Sequence, residues 1–120
     1  MLPSRHASLR LRDIVENVDR IQGYVAGMTE TQFLDDPKTI DAVERCLSRI
    51  SEAAIKLGDE AASICPNIPW HDIRGIGNQL RHGYDGIVPA RIWFTVAHDL
   101  LPLRKACELA ITHMSDDQQA

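Results

Sequence analysis

The sequence predicts an all-α protein, an antiparallel bundle of four to five helices formed by residues 1–120 as a single domain. Apolar residues recur at intervals of three and four, which is the period of one helix face. No stretch alternates apolar and polar residues as a half-buried strand does, and no Asn-Gly or Asp-Gly turn joins two strand-like runs. A chain of 120 residues is long enough to bury a core of its own. These observations favour a helical bundle.

The first predicted helix covers residues 8–26 and ends at Gly27, a residue suited to a helix C-terminus. Its apolar face consists of Leu11, Ile14, Val15, Val18, Ile21 and Val25. Residues 29–37 form a polar link with room for one helical turn. Asp36 is placed to cap the next helix, and Pro37 is placed at the first position of that helix.

The second long helix is predicted as one continuous element over residues 37–65, about 40 Å in length. Its inward-facing residues keep the same spacing throughout: Ile40, Val43, Leu47, Ile50, Ala54, Leu57, Ala61 and Ile64. This long apolar seam predicts that the helix is the spine of the bundle. Pro66 and Pro69 end it.

The last predicted helix covers residues 89–114. Its inward face consists of Ile92, Val96, Leu100, Leu103, Cys107 and either Ala110 or Ile111. Pro102 lies inside this helix and is expected to kink it or split it in two. Residues 115–120 are expected to form a frayed polar tail.

The composition limits the classes of function open to the chain. Hydrophobic residues make up 44% and charged residues 25%, with a formal net charge of −4, as in an ordinary soluble globular protein. The mild acidity disfavours a protein that coats nucleic acid non-specifically, although it leaves room for a small basic site. No apolar run reaches the ~20 residues of a transmembrane helix. The first residues do not resemble a secretory signal, so the expected location is cytoplasmic.

No metal or cofactor is expected. Cys46, Cys65 and Cys107 are widely spaced and form no Cys-x-x-Cys motif, so they are interpreted as small apolar residues of the core. Three histidines have no carboxylate or cysteine partner at metal-ligand spacing, namely His71, His98 and His113.

Residues 70–87 begin as a helix but contain an unusual number of glycines. Four of the seven glycines of the chain lie here, namely Gly75, Gly77, Gly83 and Gly86. Each glycine inside a helix costs about 1 kcal/mol relative to alanine. Local rules are broken most often at functional or closely packed places, so this segment is the candidate site.

The candidate site gathers side chains that handle phosphate esters. Asn78 and His82 are four residues apart and share a helix face, with Arg74 one turn earlier. Arg81 flanks His82 but points about 100° away, and Tyr84 follows directly. Arginine binds anions with two parallel hydrogen bonds, and histidine moves a proton near neutral pH.

Plainer interpretations stay open for the same residues. A helical histidine beside an arginine is often only part of a solvated surface, and Gly75-Ile76-Gly77 can simply let two helices approach closely. No strand precedes these glycines, so a nucleotide-binding loop is not indicated.

From Ile68 to Ile87 the sequence resembles the HepT-like branch of the HEPN superfamily. The matching residues are Ile68-Pro69-Trp70, Ile73, Gly75-Ile76, Asn78, Leu80, His82-Gly83-Tyr84 and Gly86-Ile87. The stretch Ile50-Ser51-Glu52-Ala53 also resembles the pattern of the family's long helix. Length and helix order are similar too, so the resemblance covers nearly the whole chain.

The resemblance implies a HEPN-like helical bundle that forms a homodimer, acts as the toxin of a toxin–antitoxin pair and cleaves RNA without a metal. The implied partner is a small nucleotidyltransferase antitoxin, which silences the toxin by transferring AMP to a tyrosine after the motif histidine. The family motif is an arginine and a polar residue, followed by a histidine and a tyrosine. Asn78 corresponds to the polar residue, His82 to the histidine and Tyr84 to the tyrosine that accepts AMP.

One position departs from the motif, because the motif arginine falls on Gly77. Arg74 precedes His82 by seven intervening residues, more than the family spacing, and Arg81 is adjacent to His82. Either Arg74 or Arg81 supplies the guanidinium, or the chain is a catalytically inactive dimeric binding or regulatory module that partners a nucleotidyltransferase. In the active case, His82 side chains from both subunits act on one RNA phosphate, with Asn78 and an arginine stabilising its charge.

Overall fold

The computed structural model describes the backbone of residues 5–82 and 88–119 and the side chains of residues 6–81 and 88–115. These ranges contain seven helices and no strand: α1 (Arg5–Val25), α2 (Glu30–Leu34), α3 (Pro37–Leu57), α4 (Glu60–Ile64), α5 (Trp70–His82), α6 (Pro89–His98) and α7 (Leu100–Gln119). Five are long enough to build a bundle, and α2 and α4 are short, which confirms the predicted all-α fold. Among the helices described, none has the length and apolar character that a membrane span requires.

The centre of the bundle is formed by α1 and α3, which pack against each other, and α1 also packs against α7. The side of α3 that α1 leaves free is covered by α5. The largest fully buried side chains at this centre are Leu11, Ile14, Val18 and Ile21 from α1 and Val43, Leu47 and Ile50 from α3. They belong to the predicted inward faces. Burying one such side chain stabilises the fold by about 1.5–3 kcal/mol.

The cap predicted before α3 is confirmed. The Asp36 carboxylate accepts hydrogen bonds from the Thr39 backbone N–H, at 3.1 Å, and from the Thr39 hydroxyl, at 2.8 Å. These bonds lower the pKa of Asp36. Pro37 occupies the first turn of α3, where its missing N–H leaves no helix bond unmade.

The end of α3 differs from the prediction. Gly58 has φ of 60°, in the left-handed region that favours glycine, and its N–H donates to the carbonyls of Ala54 and Ile55. The helix therefore ends at Leu57, and α4 is a separate turn. The single helix predicted over residues 37–65 is wrong beyond Leu57. The spacing predicted a longer helix because Ala61 of α4, which lies past Gly58, is buried like the apolar residues of α3 and continues their pattern.

The last predicted helix is split in two, as Pro102 suggested, but the break lies at Asp99. In a continuous helix the ring of Pro102 would clash with the carbonyl of His98, four residues earlier. Ending α6 at His98 leaves Pro102 in the first turn of α7, where a proline is tolerated. The helix α7 continues to Gln119, into the segment for which the sequence predicts a frayed tail.

All three cysteines are buried, as predicted. A hydrogen bond with Cys65 and burial raise the pKa of the Cys107 thiol, so this thiol stays protonated. Burial also raises the pKa of the Cys46 thiol. Cys46 and Cys107 therefore behave as core residues and not as nucleophiles.

Candidate active site on α5

The start of α5 is anchored by Trp70. Its side chain is buried, and its indole N–H donates to the carbonyl of Cys65 at 2.9 Å. Ile73 is also buried, while Ile76 and Leu80 are partly buried against the core. One face of α5 is thereby fixed to the bundle. The other faces carry the polar side chains of the predicted site.

Gly77 lies at a point of very close approach between α5 and α3. Its backbone N–H donates to the Ser51 hydroxyl oxygen at 3.1 Å, and the Ser51 hydroxyl donates to the Arg74 carbonyl at 2.8 Å. A Cβ on Gly77 would lie 2.8 Å from the Cβ of Ser51 and closer still to its hydroxyl oxygen. Ser51 therefore leaves no room for a larger side chain at position 77, the position to which the resemblance assigns the motif arginine.

The guanidinium of Arg74 is bound to the end of α3. Its Nε–H donates to the Ala54 carbonyl at 3.4 Å, and its Nη2 donates to the Gly58 carbonyl at 2.8 Å. Each of these carbonyls also accepts a backbone N–H, from Gly58 and from Ala61 respectively. Arg74 adds a charged donor to both of them at the C-terminal end of α3, and this contact joins α5 to α3.

Arg81 is exposed, and its side chain reaches back along α5. Its Nη1 would lie 3.2 Å from a Cβ placed on Gly77. Long side chains on a helix point towards the N-terminus, so a side chain rooted at position 81 reaches the preceding turn. The guanidinium of Arg81 therefore lies beside Gly77. Asn78, the next residue, has an exposed side chain. Among the described side chains, no carboxylate forms a salt bridge with Arg81.

The two remaining predicted site residues are only partly described. The α5 backbone is helical through His82, which places position 82 one turn beyond Asn78. The His82 side chain and the whole of Tyr84 lie outside the described residues. The described part of the chain contains no group of three or more histidine, cysteine or acidic side chains that could hold a metal ion.

Sequence reasoning missed the role of Ser51 in this site. Ser51 is fully buried and contacts both Gly77 and Arg74 across two helices. The sequence did indicate that Gly75-Ile76-Gly77 could let two helices approach closely, and the structure confirms this at Gly77. The glycines alone did not identify Ser51 as the residue that approaches.

Gly77→Ala is expected to lower the free energy of unfolding by up to about 2 kcal/mol, measured by urea denaturation. Overpacking costs roughly 1–3 kcal/mol, which outweighs the helix propensity of about 1 kcal/mol that alanine adds. Gly75→Ala on the same helix is the matched control. A Cβ at Gly75 meets no atom within 4 Å, so this variant is expected to be as stable as the parent or more so. Equal stabilisation by both substitutions would contradict the close packing on Ser51.

The fold and the arrangement on α5 define a class of protein, an all-α bundle with an asparagine and a histidine one turn apart beside an arginine. Residues 14–110 match the family model described as ribonuclease HepT-like. This match covers most of the chain, so the protein belongs to the HepT-like ribonuclease family. The resemblance found in the sequence is thereby confirmed.

Several named relatives support this membership. A protein of Thermococcus cleftensis named "Probable ribonuclease HepT" is 32% identical over 94 residues, which are 78% of this chain and 86% of that protein. "Putative RNase MJ1216" of Methanocaldococcus jannaschii is 29% identical over 110 residues, 92% of this chain and 91% of that protein. "Putative RNase MJ0127" of the same organism is 35% identical over 92 residues, 77% and 76% of the two chains. No solved structure gives a significant match.

Proposed function

We propose that this protein is a metal-independent endoribonuclease that acts as a homodimer and is the toxin of a toxin–antitoxin pair. The observation that carries the proposal is the position of Arg81, whose guanidinium lies against Gly77, the residue before Asn78. A guanidinium is thus present near the place where the motif arginine is missing. The names of the relatives, which describe RNases, point to the same chemistry.

In the proposed mechanism, RNA attacks its own backbone. His82 of one subunit takes the proton from a ribose 2′-hydroxyl, and the 2′-oxygen forms a bond to the adjacent phosphorus. The bond from phosphorus to the 5′-oxygen of the next nucleotide breaks, and His82 of the second subunit protonates that oxygen. The products are a 2′,3′-cyclic phosphate and a 5′-hydroxyl.

Arg81 and Asn78 stabilise the charge that builds up on the phosphate oxygens. The planar guanidinium of Arg81 can donate two parallel N–H bonds to these oxygens, and the Asn78 amide can donate another. Such preorganised donors are worth most where charge develops in the transition state. Both side chains are exposed, and Arg81 forms no salt bridge with any described carboxylate.

Arg74 is assigned a supporting role. Its guanidinium is held on the carbonyls of Ala54 and Gly58, and its backbone position is about 12 Å along the helix from position 82. It contributes by holding α5 against α3 and not by contacting the phosphate.

The proposed activity is tested by incubating the purified protein with RNA and with DNA of the same sequence, in the presence of EDTA. Cleavage of the RNA alone is expected, because only RNA supplies the 2′-hydroxyl. Loss of cleavage in EDTA, or cleavage of the DNA, would contradict the mechanism. Binding of RNA without cleavage would support the alternative of an inactive binding module that has lost the motif arginine at Gly77.

The proposed silencing of the toxin by AMP transfer is tested with a small nucleotidyltransferase of the kind that the resemblance implies as the antitoxin. Incubation of the two proteins with ATP is expected to increase the mass of this chain by AMP residues, and to abolish RNA cleavage. The chain has two tyrosines, which gives a matched pair of variants. Tyr84→Phe should prevent the modification, whereas Tyr24→Phe on α1 should leave it unchanged. Modification that persists in Tyr84→Phe would place the acceptor elsewhere.

A further inference from the structure

A groove of about 550 Å³ opens between α5 and the pair α6 and α7. Its floor includes Leu47 and Ile50 of α3, and its α5 wall includes Gly75 and Gln79. The volume falls within the usual range for ligand pockets. No residue of the groove has a part in the mechanism proposed above. Gly75 keeps the α5 wall open, since a Cβ there would meet no atom within 4 Å.

The α6 wall of the groove presents a stack of flat side chains. Phe94 is 46% exposed, and its ring stacks on the imidazole of His98 with centroids 4.2 Å apart and planes inclined by 21°. The guanidinium carbon of Arg91 lies 5.3 Å from the centroid of the Phe94 ring. The His98 Nδ1–H donates to the Phe94 carbonyl at 3.0 Å, which fixes the imidazole against the ring. We call these three residues the α6 stack.

The charges in the groove favour an uncharged occupant over a phosphate. Asp72 and Asp99 line it, and the guanidinium of Arg91 is the only fixed positive charge among the lining residues. Two carboxylates facing one guanidinium disfavour an anion. The same carboxylates accept hydrogen bonds from amino groups, and the Gln79 amide both donates and accepts. A flat group with amino and carbonyl edges matches the α6 stack and these polar partners.

We propose that the groove binds a nucleobase of single-stranded RNA next to the phosphate that is cut. Gln79 directly follows Asn78 on α5, and position 82 lies one turn beyond Gln79. A strand whose phosphate is held at Asn78 can therefore place a neighbouring base in the groove. Unpaired bases are typically recognised by stacking on aromatic rings and guanidinium planes. This inference rests on the proposed RNA cleavage and adds the part of the substrate that is recognised.

The test uses the full chain carrying His82→Ala, so that RNA is bound but not cut. Affinity for a short, fluorescein-labelled single-stranded RNA of mixed sequence is measured by fluorescence anisotropy. Phe94→Ala is expected to weaken binding at least about fivefold, because a base loses its aromatic partner. Phe94→Tyr, which keeps a ring, is expected to bind like the parent. Leu109→Ala removes a similarly exposed apolar side chain from α7 and should leave RNA binding unchanged.

A second pair of variants obstructs the groove without removing the stack. Gly75→Met places a side chain into the groove from the α5 wall and should weaken RNA binding. Gly23→Met in α1 is the matched control, because a Cβ there also meets no atom within 4 Å. RNA with abasic riboses beside the cut should bind equally to the parent and to Phe94→Ala, since it offers no base to the stack.

The outcomes separate this inference from the proposed function. If the unsubstituted protein cuts RNA while Phe94→Ala and Gly75→Met bind as tightly as the parent, the groove is not a base site and the nuclease proposal stands. If the unsubstituted protein neither binds nor cuts RNA, both proposals fail. If the two variants leave RNA affinity unchanged but alter the oligomeric state in light scattering, the groove is a contact between copies of the chain and the inference is overturned.

Discussion

Replacing His82 by alanine is expected to reduce RNA cleavage by about 10²–10⁴-fold, the usual contribution of a positioned acid–base group. The proposed site uses the residue twice, once in each subunit, so the reduction should lie towards the upper end of this range. The rate is measured under single-turnover conditions, and growth after induced expression reports the same activity in cells. His113→Ala, at an exposed position on α7, should leave both unchanged.

A mixture of subunits provides the sharper form of this experiment. Because each phosphate needs a histidine from each subunit, an excess of His82→Ala chains should suppress cleavage by unsubstituted chains through inactive mixed dimers. Growth inhibition that persists in the His82→Ala variant would rule out the nuclease. If the cleavage rate instead falls only in proportion to the fraction of unsubstituted chains in the mixture, a site shared between subunits would be ruled out.

Substitution of the two arginines is expected to affect different properties, the rate of RNA cleavage for Arg81 and the stability of the fold for Arg74. Arg81→Ala should lower the rate of cleavage by about 10²–10³-fold, which is the usual effect of removing one hydrogen-bond donor from a transition state. It should leave the free energy of unfolding nearly unchanged, because the Arg81 side chain is exposed. Arg74→Ala should lower that free energy by about 1.5–3 kcal/mol, since two carbonyls at the end of α3 lose a charged donor. The folded Arg74 variant should still cut RNA.

Arg81→Lys separates charge from geometry at the same position. Lysine keeps the positive charge but cannot donate two parallel bonds, so only part of the activity should return. Loss of cleavage in Arg74→Ala at unchanged stability would reverse the assignment of the two arginines. Unchanged cleavage in all of these variants would remove guanidinium stabilisation from the mechanism.

The parts of the fold that follow local rules could be predicted from the sequence. The inward faces of the helices depend on a repeating spacing, and the cap at Asp36 depends on its neighbours Pro37 and Thr39. The end of α3 could not be predicted from this spacing, because apolar residues continue in phase past Gly58. The left-handed conformation of Gly58 only becomes visible in the structure.

The sequence could mark the segment that holds the candidate site, but it could not give the geometry of that segment. The clustering of glycines in α5 marked the segment, and two of them have different uses: Gly77 admits Ser51, while Gly75 borders an open groove. Which of Arg74 and Arg81 can supply a guanidinium to the phosphate depends on the contacts that each long side chain makes. Arg74 ends on carbonyls of another helix, and helix periodicity alone carries no information about such a contact.

The chemical ends of the RNA products test the central claim most directly. RNA incubated with the protein in EDTA is analysed by mass spectrometry. Attack by the 2′-hydroxyl predicts fragments with a 2′,3′-cyclic phosphate and fragments with a 5′-hydroxyl. Fragments that end in a 3′-hydroxyl and a 5′-phosphate would show attack by water at the phosphate, and would contradict the mechanism assigned to α5.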